Sequence, residues 1–206
     1  MVHGTGSDDR VEGWVERRIF APWRARIWSL VRGSNVLEAG VGTGANMLYY
    51  PRGVHVTAFD INPARVERAR QRAQILGLDV DLQVMDAEHL DFPTGTFDTV
   101  VATWVFCSVP NPVPALRELA RVVKPGGQIL LLEHVRIDRP IIGRLMDWFD
   151  PLAVRMGAGH INRHTVENVR QGGLEIEPVE NLTSNGLVKL IVARPPSAAR
   201  VPEEGR

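Results

Sequence analysis

"VLEAGVGTGANMLYYP", residues 36–51, decides how the rest of the chain is read. An apolar run suited to a buried strand passes straight into a loop with glycines at positions 40, 42 and 44. Glycine removes the side chain that would hold backbone away from a ligand, and it accepts the positive φ of a tight turn into a helix. Gly40, Gly42 and Ala45 also satisfy the spacing G-x-G-x-x-[GA], which dinucleotide-binding loops use. The stretch specifies a nucleotide-like ligand at a strand-to-helix turn and leaves its identity open.

Outward from this loop, strand and helix patterns alternate. "VHVTAFD" (54–60), "VDLQVM" (80–85), "FDTVVATWVF" (97–106) and "QILLLEHV" (128–135) are apolar and rich in β-branched residues, the mark of strands. The run at 97–106 is apolar enough for a parallel strand covered on both faces. Asn62 and Pro63 open a helix with a buried stripe of Val66, Ala69, Ala73 and Leu76, and Gly77 stops it. Asn111 and Pro112 open another through Val123, which "KPGG" (124–127) closes. After a helix over 165–171, "GLEIEPVENL" and "GLVKLIVAR" are joined by "TSN", too short for a crossover. They predict an antiparallel hairpin at a sheet edge. The fold class is α/β: a Rossmann-like, seven-stranded, mostly parallel sheet with a C-terminal antiparallel hairpin and helices on both faces.

Composition sets the outer limits. A chain of 206 residues that is 44% hydrophobic and 23% charged suits one soluble domain with a full core. Zero formal net charge argues against nucleic acid as the main partner. A single cysteine, Cys107, allows no internal disulfide, and no apolar run approaches the ~20 residues of a membrane span. "MVHGTGSDDR" lacks the apolar core of a signal peptide, so a cytoplasmic protein is expected. The expected divisions are a helical segment over 1–33, the main domain over 34–195 and a flexible tail over 196–206.

The helical segment has its own character. Val11, Trp14, Val15 and Ile19 fall at helical spacing; Pro22 then starts a second helix with Trp23, Ile27, Leu30 and Val31 on one face. Residues 10–32 carry six arginines against two glutamates, net +4, interleaved with Trp14, Phe20, Trp23 and Trp28. That suits either a cap over the ligand or a helix lying on an anionic membrane surface.

Ligands of open α/β sheets bind outside the carboxyl ends of the strands. Those ends supply, in order, Glu38 with the glycine loop, Asp60, Asp86, Thr103 through Cys107, and Glu133 with His134. Asp60 lies 20 residues after Gly40, where a carboxylate can accept both hydroxyls of a ribose; a helix-cap or solvated strand end is its other reading. Asp86 suits an adenine amino group or a local cap. Glu38 suits the ligand or a buried network. A nicotinamide oxidoreductase would use the same loop, yet it needs a second half-sheet where this chain has a hairpin. A smaller adenosine cofactor fits better, and a non-catalytic membrane-binding module is the third possibility.

"LEAGVGTG", Asp60, "MDAEHLDFPTGTFDTVVATWVFCSV", "RELARVVKPGGQILLLEH" and the final hairpin together resemble a class I S-adenosylmethionine-dependent methyltransferase over about residues 34–194. Within that superfamily the chain is similar to quinone C-, phospholipid N- and thiol methyltransferases. "CSVPNP…LRELARVVKPGG…LLEHV" resembles the thiol group most. "CS" (107–108) replaces the "RN" pair of the quinone enzymes, which argues against quinone methylation. The resemblance implies that Gly40, Gly42 and Gly44 line the methionine moiety and that Asp60, with Ile61 after it, holds the ribose. It implies also that Asp86 and Ala87 flank adenine, with Thr103 beside the cofactor; Glu38, two residues before Gly40, is a cofactor-binding candidate by its position.

Methyl transfer from a sulfonium is an in-line displacement, and an acceptor that must lose a proton needs a base. His134 and His160 are the candidates. The acceptor is expected to be small and lipophilic. Its walls are expected from residues 140–160, with Leu145, Met146, Trp148 and Phe149, and from the N-terminal helices. No metal-ligand cluster is evident, and oligomeric state is not encoded in any recognisable pattern.

Overall fold

In the computed structural model, residues 16–137, 144, 146–150, 155 and 162–196 are described. Seven strands form one sheet: β1 (Asn35–Ala39), β2 (His55–Asp60), β3 (Val80–Val84), β4 (Phe97–Thr103), β5 (Val123–His134), β6 (Glu175–Asn181) and β7 (Val188–Arg194). Their order is β3-β2-β1-β4-β5-β7-β6. The first five run parallel; β7 is antiparallel to both β5 and β6. The hairpin expected from "TSN" therefore sits at one edge, where a dinucleotide enzyme would continue a second half-sheet.

Apolar residues at successive positions of β4 and β5 are explained by the two cores they serve. Val100, Ala102, Ile129 and Leu131 face one cluster with Ala115, Leu116, Leu119 and Val122. Val101, Leu130 and Leu132 face the other with Ile27, Trp28, Ala69 and Ala73. The helices involved are α1 (Ala21–Trp28), α2 (Pro63–Leu76), α3 (Pro112–Val122) and α4 (Thr165–Gln171), whose Val169 joins the first cluster. A strand covered on both faces has no face left for polar residues.

Asn62 caps α2 as expected: its side chain accepts from Ala64 N and Arg65 N, and Gly77 ends the helix in the left-handed region. Leu76 departs from the expected stripe. It lies at the last turn of α2 and is exposed, so Val66, Ala69 and Ala73 do the burying. "KPGG" does not form a separate turn either. It falls inside β5, beside a register irregularity between Phe97 and Thr99. Asn111 makes no side-chain cap on α3; it donates to Glu88 instead.

The expected break between two N-terminal helices is absent from the described residues. A π-helical turn, Glu16–Phe20, runs directly into α1. The sheet then holds α1 through its C-terminal end: Gln128 Nε2 donates to Leu30 O at 2.6 Å and Thr99 Oγ1 to Arg32 O at 2.7 Å. Val11, Trp14, Val15, Leu145, His160 and the tail from 197 lie outside the described residues.

Candidate cofactor and acceptor site

A cavity of about 520 Å³ opens at the carboxyl ends of β1, β2 and β4, within the ~300–1,000 Å³ of small-ligand sites. Gly40, Gly42, Asp60, Ile61, Asp86, Ala87 and Thr103 all line it, with Arg24, Asn46, Phe59, Met85, Trp104, Val105 and Val109.

The glycine loop is shaped by two different demands. Gly40 has φ +69°, and a Cβ there would lie 2.4 Å from Val105 Cγ2. Gly42 has φ +55° and, among the described residues, nothing within 4 Å of a Cβ. The first glycine is required by the protein's own packing, whereas the second leaves a cradle beside the cavity. A short 3-10 turn, Ala45–Tyr49, follows Gly44.

Asp60 ends β2 with its carboxylate already oriented. Oδ2 accepts from Gly42 N at 3.0 Å and Oδ1 from Asn62 N at 2.9 Å. Each carboxylate oxygen can accept a further bond, so one side chain ties the glycine loop to β2 and still presents acceptors to the cavity. Asp86 is exposed, and its Oδ1 accepts from Glu88 N at 2.9 Å, a local turn that leaves Oδ2 uncommitted. Phe59, Met85 and Ala87 supply apolar wall for a planar base. This donor and acceptor set fits an adenosyl group.

Glu38 and Gly44 do not line the cavity. Glu38 is fully buried and accepts from Asn46 Nδ2 at 2.5 Å and from the Tyr50 hydroxyl. Burial pushes its carboxyl up, opposed by the Tyr50 and Asn46 bonds and by the nearby Arg24 charge. Burial, then the Glu38 charge, pushes the Tyr50 hydroxyl well up in turn. Asn46 connects this network to the cavity: Nδ2 also donates to Thr103 Oγ1 at 3.0 Å, and Oδ1 accepts from Arg24 Nη1 at 2.7 Å.

Beyond Thr103 the chain turns sharply. Trp104 has φ +58°, the one non-glycine residue with positive φ among the described residues, a conformation that costs of order 1–3 kcal/mol and needs surrounding support. Glu133 gives that support, accepting from Val105 N at 2.8 Å and Phe106 N at 3.1 Å. It is fully buried; burial raises its carboxyl pKa to about 8, and among the described residues Oε2 has no hydrogen-bond partner.

The Trp104 ring packs with Phe20 at 5.8 Å, Trp23 at 6.2 Å and His134 at 4.3 Å between centroids. His134 is thus stacked on a cavity-lining ring and is not itself on the wall, and burial lowers its pKa. His160 lies outside the described residues. Arg24 and Asn46 are cavity residues that the sequence reading did not single out, and Trp104 stood there only within the strand-end run Thr103 through Cys107, with no role of its own. Asn46 follows the glycine loop by two positions, the nearest thing to a signal; Arg24 is one arginine among six, and nothing in "ATWVF" marks Trp104.

Sheet order, glycine loop and strand-end carboxylate define the class, a Rossmann-like methyltransferase fold. Residues 37–131 match the family model described as a methyltransferase domain. Similar proteins include a phosphatidylethanolamine N-methyltransferase of Cereibacter sphaeroides, 42% identical over 52% of this chain and 54% of that one. A ubiquinone/menaquinone biosynthesis C-methyltransferase of Bartonella quintana is 34% identical over 82% and 65%, and a thiol S-methyltransferase of Homo sapiens 41% over 49% and 43%. The chain spans between 43% and 65% of the length of these relatives. A methyltransferase structure from Aquifex aeolicus superimposes with a TM-score of 0.64 at 19% identity, covering 87% of this chain and 92% of that one. The [4+2]-cyclase SpnF superimposes at 0.71 with 23% identity over 86% and 80%, so the shared fold alone does not fix chemistry.

Proposed function

We propose that the protein transfers a methyl group from S-adenosylmethionine to a small lipophilic acceptor. The observation that carries this reading is one continuous cavity in which Asp60 and the glycine loop face the same space as Trp104, Val105 and Val109. The cofactor supplies a sulfonium methyl group. Asp60 accepts the ribose hydroxyls, each such charged bond contributing roughly 1.5–3 kcal/mol, and Phe59, Met85 and Ala87 hold the adenine. Trp104, Val105 and Val109 exclude water and hold the acceptor within the roughly 3–3.5 Å that displacement requires. His134, the expected base, sits behind the Trp104 ring and off the cavity wall, so its part in this reading is to back that ring.

The relatives are named for a phospholipid amine, a quinone and a thiol, all compatible with an apolar wall. Labelled methyl donor incubated with alkyl thiols, phospholipids and quinols is expected to mark one of these classes. In calorimetry, Asp60→Ala is expected to weaken S-adenosylhomocysteine binding at least tenfold; unchanged affinity removes the ribose assignment.

Contact with an anionic membrane is a further part of this reading, supported by the charge of residues 10–32. Phe20 and Trp23 pack on Trp104 and Trp28 is buried, so the outward contribution among the described residues falls to Arg18, Ile19, Arg32 and Arg26, the last paired with Glu180. Among those residues, no helix is long and apolar enough to cross a membrane. Flotation on anionic vesicles is expected for the full chain and is expected to weaken when residues 1–32 are removed; equal flotation of both ends the membrane reading.

A further inference from the structure

Arg24 is the cavity-lining cation whose bonds leave one end uncommitted. Its side chain is only 11% exposed. Nε donates to Glu16 Oε1 at 2.8 Å and Nη1 to Asn46 Oδ1 at 2.7 Å, while Nη2 has no partner among the described residues. Asn46 cannot be turned the other way, because its Nδ2 faces two acceptors, Glu38 Oε1 and Thr103 Oγ1, and its oxygen faces a group that can only donate. The guanidinium is therefore locked against the turn that follows the glycine loop. Arg65, the other cation on the wall, is exposed in the first turn of α2 just past Asp60.

A cation held this way leaves donors for an anion, and guanidinium favours planar carboxylates. The adenosyl reading puts an amino acid carboxylate at the glycine loop. We propose that Arg24 binds the α-carboxylate of the cofactor's amino acid end, and that this contact makes the N-terminal helix part of the cofactor site. The proposal rests on the adenosyl reading and goes beyond it by assigning a ligand group to a residue outside the domain match at 37–131. Since Glu16 holds the same guanidinium and Phe20 and Trp23 pack on Trp104, cofactor binding also steadies the wall facing the acceptor.

The test removes the carboxylate from the ligand and the guanidinium from the protein. S-adenosylhomocysteine and its decarboxylated analogue, S-adenosyl-3-thiopropylamine, are titrated by calorimetry into wild-type, Arg24→Gln, Arg24→Lys and Glu16→Gln protein. Arg24→Gln is expected to weaken S-adenosylhomocysteine at least tenfold and the analogue less than threefold. Arg24→Lys is expected to fall between, and Glu16→Gln to keep the wild-type preference. Equal weakening of both ligands in Arg24→Gln, or none, overturns the assignment, because Arg24 would then only hold Asn46. Wild-type protein that binds neither ligand overturns the adenosyl reading itself, and this assignment falls with it. A wild-type protein that binds both ligands equally tightly overturns the assignment alone. Should Arg24→Gln fail to fold, Arg24→Lys carries the same comparison.

Discussion

Two glycines two positions apart answer to different constraints, and substitution separates them. An L-residue in the left-handed region costs roughly 1–2 kcal/mol. Gly42→Ala meets no atom of the described residues within 4 Å, so it is expected to lose about that much stability while weakening S-adenosylhomocysteine at least tenfold. Gly40→Ala adds a contact with Val105, whose amide Glu133 holds, and is expected to cost on the order of 2–5 kcal/mol. Urea unfolding beside calorimetry distinguishes the two; equal stability losses would refute the difference. Glu133 makes a second prediction at this scale. Its pKa is raised from 4.5 unfolded to about 8 folded, so the folded state binds the extra proton between those values, and stability falls as pH rises through that window. Glu38 shifts the same way, so the contribution of Glu133 is read as the difference from Glu133→Gln, which is expected to flatten the pH 5 to pH 8 loss. A variant that loses stability with pH as steeply as wild type would refute this. Asp60 was legible because a strand end and a 20-residue spacing mark it. Trp104 and Glu133 were legible only as strand-end positions and Arg24 only as one arginine among six, since each acts through partners distant in sequence.

Elements were legible where one face decides them. The α3 pattern of Ala115, Leu116, Leu119 and Val122 needs only helical periodicity and one apolar neighbour, and the strands β4 and β5 need only uniform apolarity. The boundaries that failed are those set by neighbours: "KPGG" lies inside β5 between two positions paired with β4, Val123 with Phe97 and Gln128 with Thr99, and Leu76 is left exposed because α2 covers its core with small residues. Asn62 allows an element to be tested apart from the site beside it. Its side chain caps α2 through Ala64 N and Arg65 N, while only its backbone N–H reaches Asp60. Asn62→Ala is expected to cost about 1 kcal/mol, a fall in Tm of roughly 2–4 °C, with S-adenosylhomocysteine affinity changed less than twofold. A large loss of affinity would mean that the cap, and not the strand end alone, sets the Asp60 carboxylate.

At the scale of the molecule, the cavity joins chain segments of unequal support. The tips of β1, β2 and β4 belong to a sheet packed on both faces, whereas α1 and the turn at Glu16–Phe20 reach the cavity through Arg24 and the rings around Trp104. The β6–β7 hairpin lies at the sheet edge, with β5 between it and β4. A ligand that binds only the folded state stabilises every amide that exchanges by global unfolding, by about 2.7 kcal/mol at a hundredfold excess over Kd. Amides that exchange by local opening slow only where the ligand touches. Hydrogen exchange with saturating S-adenosylhomocysteine is therefore expected to slow the locally opening amides of 16–28 and 40–49 and to leave those of 175–181 unchanged. In Arg24→Gln the effect at 40–49 is expected to persist while that at 16–28 disappears, because the glycine loop still meets the ligand and α1 no longer does. Slowing at 16–28 that survives the substitution would show that the aromatic packing on Trp104, without the guanidinium, couples the N-terminal helix to the site.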